Sequence, residues 1–359
     1  MQEHPYSNVA LRYSGESLFL VDDDGNDVTE ALTAPSSERL PDFLIVGMEK
    51  CATTWLLFAL AAHPDIFALP FETDYFNEHA RTVPFGQYRK LFSPVKPLQV
   101  CGEKTPNYAA VDRYPGTLDR IRDALPDVKL ILCLRDPVER TVSAWRYHCR
   151  DRQGSINIGN FEDQFIENGA VSPSLAENYA LRESLYPPVI RRLHDLFPAG
   201  NVLVHFVEDD IRNDPEGCLA RTYEFLGVDT AFLPPRHHGV RNMTMEIPFD
   251  LSGHAKSILY DYFAPSMDET FSLLGRSSDV WRERKADSER DESRRDAETR
   301  IKVLGHTFTG PEAVQFVQHM IDTRQLRGAV FGLEALHAAY PDNASFRDTL
   351  AKIKNDLAG

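Results

Sequence analysis

Lys50, Thr53 and Thr54 fall close together in the stretch Val46–Trp55, Val-Gly-Met-Glu-Lys-Cys-Ala-Thr-Thr-Trp, directly after the apolar run Phe43–Val46. A strand that turns at Gly47 and feeds a helix would bring an ammonium, two hydroxyls and the free N–H groups of the helix start to one point, where an anion is favoured. A Walker loop reads G-x-x-x-x-G-K-[ST] and places its last hydroxyl on magnesium. Here Lys50 follows Gly47 by three residues, Cys51 stands where that hydroxyl would be, and Ala52 comes next. The spacing rules out a plain match and weakens a P-loop nucleotide kinase reading. An ordinary strand-to-helix turn with Thr53 as its cap is the bland reading of the same residues. Two carboxylates near strand ends, Glu72 in LPFETDYFNEH and Glu103 in CGEKTPNY, could take a proton from an acceptor.

The elements that would position these groups are legible as apolar runs. DFLIVG, VKLILCLRD and NVLVHFVEDD read as buried strands, each followed by a helix: TTWLLFALAAH, PVERTVSAWRYHCRD with proline at its start, and PEGCLARTYEFLG with glycine at its end. Such alternation predicts an α/β fold, a P-loop-like central parallel sheet flanked by helices, with ligand at the carboxyl ends of the strands. Residues 1–40 form an N-terminal β extension, hairpin-like or a solvated arm, because short runs there are separated by Ser-Gly and Asp-rich turns. Residues 41–281 make the main domain. Residues 282–359 hold a mixed-sign charge run, RERKADSERDESRRDAETR, read as a solvated linker or helix face, and then a small C-terminal helical region open to self-association or a partner.

Composition narrows the function. The 359 residues are 42% hydrophobic and 26% charged, as in ordinary globular proteins, and no run approaches the ~20 apolar residues of a membrane helix. The N-terminal residues lack the basic-then-apolar order of a secretory signal, which predicts a cytoplasmic protein. Five cysteines without a CxxC pair predict reduced thiols, neither a disulfide framework nor a zinc site. A net charge of −15 opposes nucleic acid and anionic membranes, so an anionic ligand must be held by a few placed groups.

The loop resembles the first motif of the sulfotransferases that use 3′-phosphoadenosine 5′-phosphosulfate (PAPS): a strand, Gly-x-x-Lys-x-Gly-Thr-Thr, then a helix. It matches at Gly47, Lys50, Thr53, Thr54 and Trp55, with Cys51 completing the loop and Ala52 departing from glycine. The resemblance implies that this loop wraps the 5′-phosphosulfate, with contacts from Lys50, Thr53 and Thr54. LRDPVERTVSAWRYH resembles the second signature of that family, in which Arg135 and Ser143, eight residues apart, hold the 3′-phosphate. A planar guanidinium beside a hydroxyl suits a dianion, whereas an ion pair with Asp136 or Glu139 is the alternative for Arg135. The likeness extends from about Pro41 to Trp281, with Tyr186 at the family's aromatic position and Arg241 in its basic loop over the nucleotide.

Two segments resemble the heparan-type members. There a Glu followed three and four residues later by aromatics is the base, which carries over to Glu72 with Tyr75 and Phe76; a lysine near the reaction centre carries over to Lys104. Glu103 is the reserve base. Phe71 and Asp74 depart from the lysine and histidine of many relatives, and His79 or His148 would be the base if the smaller alcohol sulfotransferases were the better guide. The resemblance thus implies in-line transfer of a sulfuryl group from PAPS, leaving PAP, to a hydroxyl or less readily an amine of a small-molecule, carbohydrate or lipid acceptor, with no metal required. A non-catalytic nucleotide-binding module acting through its C-terminal helices is the rival reading.

Overall fold

Strands β1 (Ala10–Ser14) and β2 (Ser17–Val21) pair antiparallel, Ser14 opposite Ser17, and Gly15 takes the positive φ of +58° that so tight a turn requires. They come from a computed structural model that describes residues 6, 8–33, 39–151, 166–167, 170–171, 178–234, 251–298, 300–304, 306–322, 325–341 and 343–358. The hairpin is docked. The Tyr13 hydroxyl donates to the Thr73 carbonyl at 2.6 Å and its ring stacks on His79 with centroids 3.5 Å apart. Gln87 accepts from Leu18 N–H at 2.6 Å and donates to the Glu16 carbonyl at 3.0 Å. Tyr6, fully buried, packs against Phe67 and Phe71 and donates to the Leu91 carbonyl at 2.9 Å.

The central sheet is built from β3 (Phe43–Gly47), β4 (Ile66–Ala68), β5 (Val100–Lys104), β6 (Lys129–Leu134) and β7 (Val202–Phe206). Its order is β4-β5-β3-β6-β7 and every pairing is parallel. The side chains of β3 are all buried, as a strand covered on both faces demands. Helices α1 (Thr53–Ala61), α2 (Phe85–Lys90), α3 (Thr117–Ala124), α4 (Pro137–Asp151), α5 (Pro187–Leu196) and α6 (Pro215–Leu226) connect and flank these strands. Two of the helix starts are capped by aspartates: Asp136 accepts from Val138 and Glu139 N–H at 3.0 and 3.1 Å, and Asp214 from Gly217 N–H at 3.0 Å. Asp136 thereby caps α4.

The winding reverses on either side of β3, with β5 on one flank and β6 on the other, so the carboxyl end of β3 is a topological switch point. Strand β5 can lie this close because Gly102 carries no side chain: a Cβ there would stand 2.3 Å from the Phe43 carbonyl oxygen. Strands β4 and β5 are the two that the apolar runs did not announce, since each is short and β5 ends in Gly-Glu-Lys.

By contacts the chain divides into two compact units, Met1–His148 with Glu183–Met245 and Ser266–Ser278, and Cys149–Arg182 with Glu246–Pro265 and Asp279–Gly359. The first holds the hairpin, the sheet and the motif residues. In the second, the mixed-sign charge run as far as Glu298 lies on a helix, α7 (Asp279–Glu298), and an antiparallel hairpin follows, β8 (Arg300–Val303) and β9 (His306–Thr309). Three helices follow, α8 (Gly310–Asp322), α9 (Leu326–Ala339) and α10 (Ala344–Ala358). Ile301 and Val303 of the hairpin join Val317, Met320, Leu333, Leu336 and Ile353 of the helices in one apolar core. No helix among the described residues is long and apolar enough to cross a membrane.

Candidate active site at the switch point

The β3–α1 loop is shaped by backbone strain and by close packing. Lys50 and Ala52 both adopt left-handed φ, +67° and +58°, a conformation that costs an L-residue about 1–2 kcal/mol and recurs at functional loops. Ala52 therefore takes up a backbone shape that glycine adopts more readily. It precedes α1 without a side-chain cap, so the N–H groups of Thr53, Thr54 and Trp55 have no partner among the described residues. Thr53 is not the cap that the bland reading requires. The Cys51 N–H is already spent on the Met48 carbonyl at 3.1 Å, and its thiol is buried and pushed up to about 11 by that burial. Cys51 contributes no side chain to a ligand.

Gly47 sits where the loop presses on the 106–109 turn: a Cβ would lie 2.5 Å from the Ala109 Cβ and 3.0 Å from the Pro106 carbonyl oxygen. Gly47→Ala is expected to cost roughly 1–3 kcal/mol, the usual penalty of overpacking. Chemical denaturation of the two proteins checks this; an unchanged midpoint would count against the close approach.

Arg135 ends β6 beside this loop. Its guanidinium donates to the Lys50 carbonyl at 3.5 Å and to Glu139 at 3.1 Å, and Glu208, buried behind it, is 3.9 Å away. Glu139 is nearly half exposed, so that pair is worth about 0–1 kcal/mol and can be exchanged for a more highly charged ligand. Ser143 lies half-buried on α4. Tyr186 is buried and spends its hydroxyl proton on the Arg135 carbonyl at 2.6 Å, so its place is behind the arginine, holding the main chain. The Lys50 ammonium stands 4.2 Å over the Tyr147 ring.

The two carboxylates have opposite surroundings. Glu72 is about 40% exposed, and its Oε1 is in contact with the Lys104 ammonium, which also donates to Thr54 Oγ1 at 3.1 Å. Thr54, Lys104 and Glu72 thus form one polar chain that links the α1 start, the β5 end and the segment after β4. Glu103 faces the other side of β5 and is wholly buried. It accepts hydroxyl protons from Thr73 at 2.7 Å, Tyr108 at 2.8 Å, Thr105 at 2.8 Å and Tyr88 at 3.1 Å. Burial raises its carboxyl above the ordinary range, and the four hydroxyls offset part of that rise. Glu72 is open to solvent, whereas nothing can reach Glu103 without dismantling this cluster.

The sulfotransferase-domain family profile matches residues 40–244. The chain belongs to the sulfotransferase family. Among relatives, heparan sulfate glucosamine 3-O-sulfotransferase 3B1 of Mus musculus is 30% identical over 207 residues, 57% of this chain and 51% of the relative. The 3A1 enzyme of the same species is 31% identical over 212 residues, 57% and 52% of the two chains. The chain spans about half the length of the curated relatives it matches. Among solved structures, a sulfotransferase from Alicyclobacillus acidocaldarius superposes with a TM-score of 0.56 at 26% identity, covering 68% of this chain and 99% of that one.

Gly47, Lys50, Thr53, Thr54, Glu72, Lys104 and Arg135 come together through adjoining elements, all of them within the matched domain. Arg241 lies outside the described residues. His79 is covered by the Tyr13 ring, and its nearest acid is Glu78 at 3.9 Å. The sequence reading did not single out Thr73, Tyr13, Arg113 or Arg140. Motif spacing signals none of them, because each acts through a contact far along the chain.

Proposed function

We propose that this chain transfers a sulfuryl group from PAPS to a hydroxyl of a carbohydrate or small-molecule acceptor, with Glu72 as the base. The observation that carries the reading is the chain Thr54–Lys104–Glu72, which ties an accessible carboxylate to the uncapped start of α1. PAPS would supply a sulfuryl group carried on a phosphate leaving group. Three unpartnered N–H groups, the Thr54 hydroxyl and the Lys50 ammonium fit its 5′ end, and Arg135 with Ser143 on the neighbouring strand and helix fit its 3′-phosphate. Glu72 accepts the proton of the attacking hydroxyl, while Lys104 fixes the carboxylate's orientation and Lys50 offsets negative charge gathering at the loop. Two of the relatives are by name glucosamine 3-O-sulfotransferases, which favours a sugar hydroxyl. The net charge of −15 favours a short or neutral acceptor over a long polyanion.

Calorimetry with PAP, without added metal, tests the donor half of this reading. The full chain is expected to bind PAP in the micromolar range or tighter; absence of binding overturns the proposal. Turnover of sulfur-labelled PAPS against a panel of glucosamine oligosaccharides, simple alcohols and phenols then identifies the acceptor class.

A further inference from the structure

Behind the loop lie four charged side chains that the mechanism does not use. Arg140, on α4, is fully buried; its Nε donates to the Glu49 carbonyl at 3.0 Å, one guanidinium nitrogen meets Glu183 at 2.7 Å and another donates to Ser184 at 3.1 Å. Arg113 meets the other oxygen of Glu183 at 2.7 Å, the Glu49 carboxylate at 3.7 Å and Asn107 at 2.8 Å. The side chains of Glu49, Arg113 and Glu183 are 17%, 18% and 4% exposed. All four belong to the unit that holds the sheet.

The placement poses an electrostatic problem. Glu49 directly precedes Lys50, so an acid is built into a loop whose task is to attract an anion. In a site screened from water an unbalanced charge acts over a longer range than on the surface. Two arginines against two glutamates sum to zero within this set, and Glu139 and Glu208 beside Arg135 offset much of its charge, so Lys50 and the helix start weigh most in the sign at the cradle. The same arginines also order the main chain: the carbonyl of Glu49 is occupied by Arg140 and that of Lys50 by Arg135, so the two carbonyl oxygens that would repel a phosphate are engaged by guanidinium donors.

We propose that Glu49, Arg113, Arg140 and Glu183 form a charge-balanced set of positioning residues that holds the donor loop and sets its affinity for a doubly phosphorylated ligand. The proposal rests on the reading of the loop as the PAPS site. It predicts effects of opposite sign from neighbouring residues, which mere loss of structure does not give.

PAP affinity, measured by calorimetry on the full chain, is the test. Arg113→Gln leaves one acid unbalanced and is expected to weaken PAP binding roughly tenfold, the scale of one buried charge acting on a polyanion across a partly solvated site. Glu49→Gln leaves one base unbalanced and is expected to tighten it several-fold. Arg113→Gln combined with Glu49→Gln is expected to return within about threefold of the wild type, since Glu183 then still has Arg140. Should Arg113→Gln not fold, as judged by circular dichroism, Glu49→Gln and Glu183→Gln decide: either one weakening PAP binding tenfold overturns the proposal. So does Arg113→Gln binding like the wild type, or a double variant no better than Arg113→Gln alone. A wild type that binds no PAP defeats the donor reading itself, an outcome separate from all of these.

Discussion

Glu72→Gln is expected to lower kcat by about 10²- to 10⁴-fold, the range of a lost general base, while PAP affinity and thermal stability stay near those of the wild type. Glu103→Gln is expected to do the reverse. Glu72 is open to solvent, and among the described residues its polar contacts are Lys104 and through it Thr54, so an amide there removes proton acceptance and little else. Glu103 is a hub: four hydroxyls from three separate segments donate to it. Three of these hydroxyls share one carboxylate oxygen and Thr105 takes the other, so a glutamine must turn its NH2 group on one side or the other of the cluster and lose at least the Thr105 bond. Breaking a buried cluster of this kind costs on the order of 2–4 kcal/mol. The two measurements are turnover of labelled PAPS with the best acceptor of the panel and the melting temperature of each variant. If Glu103→Gln loses turnover while remaining as stable as the wild type, and Glu72→Gln keeps it, the base has been assigned to the wrong carboxylate.

The contrast between these acids also measures how much of the site can be read from residues in a row. Both lie near strand ends beside aromatic and polar neighbours, and by type and spacing either could take a proton. What separates them is that side chains alternate along β5, which sends Lys104 to the cradle and Glu103 into the sheet's other face. That alternation was invisible because VCGEK does not look like a strand. It has one branched apolar residue, a glycine and two charges. The glycine is there for packing, since no other residue fits against Phe43. Long apolar runs identified β3, β6 and β7 and the helices after them, because burial on both faces requires such runs; β4 and β5 are held by the neighbours they pair with.

The departures from the family pattern have a similar origin. Phe71 and the segment after it form the floor on which the N-terminal extension rests, with Tyr6 against Phe71, Tyr13 on His79, and the Tyr13 hydroxyl on the carbonyl of Thr73, next to Glu72. An apolar residue at position 71 is explained by that packing, and such a contact over some sixty residues of chain leaves no local signal. The C-terminal hairpin is the opposite case. Ile301 and Val303 both face the apolar core, with a turn at Leu304, whose φ is +50°. The strand pattern was present but short, and it lies between a charge run and three helices that dominate the reading.

Lys50→Ala is expected to lower kcat by about 10²- to 10³-fold, as loss of a preorganised charge at a leaving group does, and to weaken PAP binding at the same time. On the proposed reading two lysines serve the site, and their different surroundings suit them to different work. Lys104 is buried and engaged by Glu72 and Thr54, so its removal should act on the acceptor side, changing turnover with little change in PAP affinity. The Lys50 ammonium rests on the Tyr147 ring, a contact worth about 0.5–1 kcal/mol where solvent reaches it and readily given up to a phosphosulfate. Its backbone is left-handed, a strain that lysine and alanine share and glycine relieves, so Lys50→Gly is the control that removes the charge and the strain together. If both variants lose turnover alike, the ammonium is responsible; if Lys50→Gly restores it, only the loop's shape mattered. Retention of kcat and PAP affinity within threefold in Lys50→Ala would show that the positive charge at the cradle comes from Arg135 and the helix start instead.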